Sequence, residues 1–239
     1  MIKSIIKAIL PRKLRSLLIT YKNLYITRFH IKSYAIQGED LILREMLQYA
    51  QNGFYVDVGA HHPFRFSNTY LFYKQGWSGI NIDAMPNSMN LFNRFRPRDI
   101  NIECGISNGG GGGIMTYYSF NEPALNGFSP VLETKYNHHP LYHLIDKIPI
   151  PMRTLESILD EHLPAHTQID FMTIDVEGLD LEVLQSNNWE KYRPKIILVE
   201  SWDSTLDNFF SNPIYLFLSS RNYELLAKTI NTLIFKEAI

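Results

Sequence analysis

Residues 34–239 alternate between short apolar runs rich in Val, Ile and Phe and segments whose apolar positions recur at helical spacing. The pattern predicts strands at Phe54–Val58, Gly79–Ile82, Ile100–Cys104, Phe171–Ile174 and Lys195–Val199. Between and around them it predicts helices at Asp40–Tyr49, Ser67–Lys74, Met89–Phe95, Leu155–His162, Leu181–Gln185 and Pro213–Ser220. Two closing runs, Tyr223–Lys228 and Thr232–Phe235, are separated by Thr229, Ile230 and Asn231, which suits an antiparallel hairpin. Strands alternating with helices and ending on a hairpin imply an α/β fold: a mostly parallel, doubly wound, Rossmann-like sheet with a C-terminal antiparallel hairpin.

Regularity fails between Ser107 and Pro151, where a five-glycine run, Gly109–Gly113, leads into an aromatic, histidine-rich and proline-dotted stretch. That stretch reads as irregular, and the glycine run as a flexible turn, since it lacks the strand-to-helix context of a phosphate loop. Residues 1–33 read as a basic amphipathic N-terminal extension to a domain over 34–239. In the extension Ile2, Ile5, Ile6, Ile9 and Leu10 and then Leu14, Leu17, Leu18 and Tyr21 recur at helical spacing around Pro11.

Charge sharpens this division. The eight basic residues Lys3, Lys7, Arg12, Lys13, Arg15, Lys22, Arg28 and Lys32 all precede the first acid, Glu39, although the 239-residue chain carries a formal net charge of −1. The acidic remainder argues against nucleic acid as a partner. The extension has the pattern of a segment that lies on an anionic membrane surface, so peripheral contact through residues 1–32 at the inner face of the membrane is one expectation. Packing on its own domain or on a partner is the other. No apolar stretch reaches the roughly 20 residues that span a bilayer, and Lys7 interrupts any signal-like core. Cys104 is the only cysteine, which excludes an internal disulfide and fits a cytoplasmic protein.

Ligands of open parallel sheets bind beyond the carboxyl ends of the strands. Those ends carry Asp57 and Gly59, then Asp83, then Asp175 and Glu177, then Glu200, which places acids on one rim. Gly59 is the only glycine between Gly53 and Gly76, so the triple-glycine cradle of a pyrophosphate is missing. This disfavours a nicotinamide-linked oxidoreductase. S-adenosylmethionine has no phosphate and needs one tight turn, acids for its ammonium and ribose, and a helix start for its carboxylate. Asp57, Gly59, Ala60 and His61 are candidates at the turn, Asp83 for the ribose, and Ser67, Asn68 and Thr69 for the carboxylate. Ser107 and Asp175 are further candidates at later strand ends.

The segments QGEDLIL (Gln37–Leu43), DVGAHHP (Asp57–Pro63), SNTY (Ser67–Tyr70), GWSGINID (Gly76–Asp83), RPRDI (Arg96–Ile100), IDVEG (Ile174–Gly178) and RPKIILVE (Arg193–Glu200) resemble the FkbM-type methyltransferases. The resemblance runs in order from about Tyr34 to Phe235 and leaves residues 1–33 uncovered. It implies the class I methyltransferase form of the fold and methyl transfer from S-adenosylmethionine to an oxygen acceptor, often a hydroxyl of a sugar, glycan or natural product. Asp83 stands where the family commonly shows Glu, and the five-glycine run is unusual for it.

Methyl transfer asks the protein to align acceptor oxygen, methyl and sulfur, and to take the hydroxyl proton. His62, braced by Pro63, is the candidate base. Asp175, Glu177 and Glu200 are the catalytic alternative, either acting directly or gathering a Mg2+ ion that acidifies the hydroxyl. His138, His139 and His143 lie in the irregular stretch and read as loop residues rather than zinc ligands. Tyr117, Tyr118, Phe120, Phe128 and Ser129 are candidates for acceptor contacts. A non-catalytic binding protein that keeps the fold is the reading from another class.

Overall fold

The computed structural model describes residues 11–27, 31–109, 113–136, 138–202 and 205–238. The first half of the expected amphipathic pattern, Ile2 to Leu10, therefore lies outside the described residues, as does the centre of the glycine run. Backbone contacts divide the chain into residues 1–33 and 34–239. In the first unit, helix α1 (Arg12–Tyr21) continues into a wider π-helical stretch, Lys22–Thr27.

In the second unit the elements run α2 (Glu39–Met46), β1 (Phe54–Val58), α3 (Tyr70–Lys74), β2 (Ser78–Asp83), α4 (Met89–Phe95), β3 (Ile100–Glu103), β4 (Gly105–Ile106), β5 (Ile114–Phe120), α5 (Val131–Tyr136), β6 (Leu144–Arg153), α6 (Leu155–His162), β7 (Phe171–Ile174), α7 (Asp180–Gln185), β8 (Ile196–Glu200), α8 (Pro213–Ser219), β9 (Tyr223–Lys228) and β10 (Thr232–Glu237). The main sheet has seven strands in the order β3-β2-β1-β7-β8-β10-β9. All pairs are parallel except β8 with β10 and β10 with β9, so the doubly wound sheet and its closing hairpin are as the sequence predicts.

Period-two alternation sorts the strand residues between two layers. Val56, Val58, Met172, Ile174, Ile197, Val199, Leu233 and Phe235 pack with α6 residues Leu155, Ile158 and Leu159. Tyr55, Phe171, Ile196, Leu198 and Ile234 point the other way, onto Leu43, Phe72 and Trp77. Strands buried on both faces are what helices on both sides of a parallel sheet require.

Two expectations need correction. The stretch from Ser107 to Pro151 is not irregular: β5 and β6 pair antiparallel, and β6 also pairs with β4, forming a second sheet in the order β4-β6-β5. Prolines hid this strand. Pro149 and Pro151 lie opposite Thr116 and Ile114, whereas the bond from Met152 N–H to the Gly113 carbonyl sets the hydrogen-bonded pairs one residue away. Their missing N–H groups thus face away from β5. On that side β4 pairs only Met152 and Arg153, so no ladder bond is lost. Second, the helix expected from Ser67 begins only at Tyr70, because the Ser67 hydroxyl accepts the N–H groups of Thr69 and Tyr70 and holds the chain outside the helix.

Candidate active site

The chain leaves β1 toward β2 and β3 on one side and returns to β7 on the other, so the order reverses between β1 and β7. The crevice belongs at the carboxyl ends of those strands. Gly59 N–H and Ala60 N–H both donate to the Ile82 carbonyl, and Asp175 N–H donates to the Val58 carbonyl, which zips the ends of β1, β2 and β7 together. Gly59 adopts φ +84°, and a Cβ there would meet the Asp175 carbonyl oxygen at 1.7 Å. Only glycine permits this approach.

Around this junction lies a cavity of about 280 Å3. Gly59, His61, Asn68, Asp83, Asp175, Glu177 and Glu200 line it together with Tyr117 and Phe128, so nine of the residues expected from sequence share one space. Ile82, Ala84, Ile106, Tyr117 and Phe128 supply apolar wall, and the turn from Pro123 to Gly127, which follows β5, closes one side. Arg65 and Glu122 clasp that turn to the loop after β1 at 3.0 Å.

Asp57, Ala60, His62, Ser67, Thr69 and Ser107 are not among the lining residues. Strand register explains Asp57. Val58 pairs with Ile82 and Ile174, and Ile174 with Val199, so Asp83, Asp175 and Glu200 share the level of Gly59, while Asp57 lies two residues earlier, inside β1, and faces the layer of Tyr55 rather than that of Val58. There its Oδ2 accepts the Thr69 hydroxyl at 2.7 Å. Burial raises its pKa to about 6, although the Arg96 charge and the Thr69 hydroxyl pull it down.

Arg96 is the hub beneath this floor and was not singled out from the sequence. Fully buried, it donates to Asp99 at 2.8 Å, to the Tyr55 hydroxyl at 2.7 Å and to the Thr69 hydroxyl at 3.0 Å. Asp99 also accepts from Tyr55, from Gly79 N–H and from Asn81. Phe92, Tyr55 and Tyr73 rings surround the guanidinium. The network ties β1, β2, α4 and the residues before α3 into one floor, a use suited to the forked guanidinium.

On the cavity wall, Asp83 accepts His61 N–H and Met85 N–H at 2.8 Å each, one per oxygen. Each oxygen keeps a further lone pair. His61 holds the uncommon left-handed conformation, φ +52°, and its buried Nε2 has no protein partner. Burial, with the charges of Arg65 and His62, lowers its pKa to about 4, so the ring is neutral near pH 7. His62 Nδ1 accepts the N–H groups of Phe64 and Arg65, a bond pair that puts the neutral ring's hydrogen on Nε2. Ser107 N–H donates to Arg153, and Asn68 donates to the Thr173 hydroxyl at 2.9 Å.

Opposite Asp83 stand three acids. Oxygens of Asp175, Glu177 and Glu200 lie within 4.8 Å of one another. Glu200 is hydrogen-bonded to Asp175, and burial together with the Asp175 charge holds the Glu200 carboxyl far above the usual range. Its Oε2 is buried without a partner. Burial and the charges of Asp175 and Asp180 raise Glu177 to about 8, and Glu177 holds φ +53°. Asp180, buried below, accepts Val176 N–H and Gly178 N–H and so shapes the turn that presents Glu177.

Gln37 and Glu39 also line the cavity, and sequence reasoning used them only as part of the resemblance. Glu39 accepts Gln37 N–H at 2.9 Å and the hydroxyls of Thr229 and Thr232 at 3.3 Å, which fastens α2 to the hairpin. An acid at the first helical position after a glycine was the available signal. Trp202 and Asn126 are further lining residues missed from sequence.

Among solved structures, the chain is similar to the precorrin-6y C5,15-methyltransferase of Geobacter metallireducens, with 11% identity over 87% of this chain and 93% of that one, at a TM-score of 0.43. It is similar to the 1,6-didemethyltoxoflavin-N1-methyltransferase of Burkholderia thailandensis, with 11% identity over 95% and 88%, at 0.42. It is also similar to an O-methyltransferase of Bacillus cereus, with 9% identity over 98% and 94%, at 0.42. No curated protein matches the sequence. The family described as Methyltransferase FkbM domain matches residues 57–225, well over half of the chain, and the strand order is that of the Rossmann-like class I methyltransferase fold. The chain belongs to the FkbM methyltransferase family.

Proposed function

We propose that this S-adenosylmethionine-dependent methyltransferase transfers its methyl group to a hydroxyl oxygen of a sugar, glycan or natural-product acceptor. The observation that carries the reading is the carboxyl group of Asp175, Glu177 and Glu200 on the cavity wall, with Glu177 raised to about 8. An alcohol becomes a competent nucleophile only as its proton leaves, and a carboxylate is a stronger base the higher its pKa. Glu177, presented on a left-handed backbone, takes that proton, and Glu200 holds a neighbouring hydroxyl. A polyol suits a wall of carboxyl groups that both donate and accept.

The residues present fit the cofactor. Asp83 faces the cavity with spare lone pairs for a ribose diol, the carboxylates of Glu39 and Asp175 suit an ammonium, and Ile82, Ala84, Ile106 and Phe128 supply apolar wall for a purine ring. His61 Nε2 is an orphaned polar atom on the same wall. When bound, S-adenosylmethionine supplies an electrophilic methyl on its sulfonium. The protein's share is to hold the acceptor oxygen in line, remove its proton and keep water out.

A second reading is favoured by one observation, the 4.8 Å span of the three carboxylate oxygens, which is near the reach of a divalent cation shell. Incubation with methyl-labelled cofactor and a glycan pool, followed by mass spectrometry, tests transfer to oxygen. Glu177→Gln should lower turnover by about 100- to 10,000-fold with cofactor affinity intact and remove a rise in rate through about pH 8. Full turnover in that variant, or label on nitrogen or carbon, overturns the proposal. Turnover abolished by a chelator and restored by magnesium would assign the acids to the ion, and slow methylation confined to His62→Ala would return the proton to that histidine.

A further inference from the structure

Helix α1 has no buried residue. Leu14, Leu17, Leu18 and Tyr21 follow the i, i+3, i+4, i+7 spacing and so share one face of it, where they are 45%, 67%, 50% and 60% exposed. At 100° per residue, Lys13 and Arg15 fall on opposite flanks of that stripe. Leu24, Tyr25 and Ile26 extend the apolar exposure through the π-helical stretch, and the Tyr21 and Tyr25 rings meet at 4.7 Å. A contiguous apolar face of this kind is costly in water and marks a contact surface.

Charge selects the partner. The formal net charge of −1 divides into +8 over residues 1–38, where no acid occurs, and −9 over the rest. We infer that α1 and the stretch after it form a docking surface for an anionic lipid bilayer, lying in the plane of the headgroups. The leucines and tyrosines enter the acyl boundary and the flanking cations meet lipid phosphates. Tyrosines at the end of the helix suit that boundary, since one end of the ring is apolar and the other polar. No helix among the described residues is long and apolar enough to cross a membrane, so the contact is peripheral. This inference is independent of the acceptor assigned above.

The test is flotation of the full chain with phosphatidylcholine vesicles that either contain or lack phosphatidylglycerol. We expect binding to the anionic vesicles, at least about tenfold weaker on phosphatidylcholine alone, and weakened by added salt. The pair Leu17→Asp and Leu18→Asp, and separately the pair Lys13→Glu and Arg15→Glu, should each reduce binding at least about tenfold. The charge pair leaves every apolar residue in place, which keeps the inference testable if the aspartates unwind the helix. No flotation, equal binding to both lipids, or binding untouched by both pairs would overturn it. So would sedimentation showing that the same stripe joins two copies of the chain while vesicles are ignored.

Discussion

Gly59 and Asp175 approach so closely that the glycine hydrogen occupies the only space between its Cα and the Asp175 carbonyl oxygen, which a Cβ would meet at 1.7 Å. The obstacle is backbone, so no side-chain rotation relieves it. Gly59→Ala should cost about 2–4 kcal/mol, combining left-handed strain with separation of β1 from β7. Urea unfolding measures this, and a loss under about 1 kcal/mol would mean that the strand ends part more readily than the geometry implies.

Arg96 holds two buried carboxylates in check. Removing it by Arg96→Met would leave Asp99 and Asp57 uncompensated, at about 3–5 kcal/mol. Arg96→Lys should recover only part of this, because one ammonium cannot serve Asp99, Tyr55 and Thr69 in three directions. Equal stability of the lysine variant and the native chain in urea would show that charge alone matters.

Asparagine replaces one of the two accepting oxygens of Asp83 with an amide NH2. In Asp83→Asn the remaining carbonyl oxygen accepts only one of the N–H groups of His61 and Met85, and the NH2 confronts the other. Affinity for S-adenosylmethionine in calorimetry should fall by about 1–3 kcal/mol with the fold retained. Unchanged affinity would remove Asp83 from the cofactor wall.

Stability should decline between about pH 6.5 and 8. Asp180, raised to about 7, and Glu177, raised to about 8, bind protons more tightly folded than unfolded. Their contribution is complete below the ordinary carboxylate values near 4 and is lost as pH rises through 7 and 8. His61 acts in the opposite sense, but only below about 6.5, where the unfolded ring still takes up a proton. Thermal midpoints of the ligand-free chain across this window test the sign. Glu177→Gln should flatten the fall, and midpoints that rise toward pH 8 would contradict the burial of these acids.

The main sheet was legible because its central strands β1, β2, β7 and β8 are buried on both faces and therefore read as apolar runs, while the acids Asp83, Asp175 and Glu200 stand where those runs end. Asp57 misled because it sits close to the glycine of the turn in sequence, yet it still lies inside β1 and points into the Tyr55 layer, onto Thr69. The smaller sheet was illegible because Pro149 and Pro151 argue against a strand unless one knows that their N–H positions face an open side. Arg96 entered only as the first residue of the RPRDI resemblance, because the tyrosine, threonine and aspartate partners that bury it are brought to it by the fold.

The clasp between Arg65 and Glu122 joins the loop after β1 to the turn before α5 across the cavity rim. Both side chains are partly exposed, and an ion pair in that setting contributes at most about 1 kcal/mol, comparable with thermal energy. A contact of that strength adds little to the hold on the rim, where Phe66 and Pro123 also line the cavity. Ionic strength screens this partly exposed pair far more than the buried Arg96 floor, so added salt loosens the rim before it touches the floor.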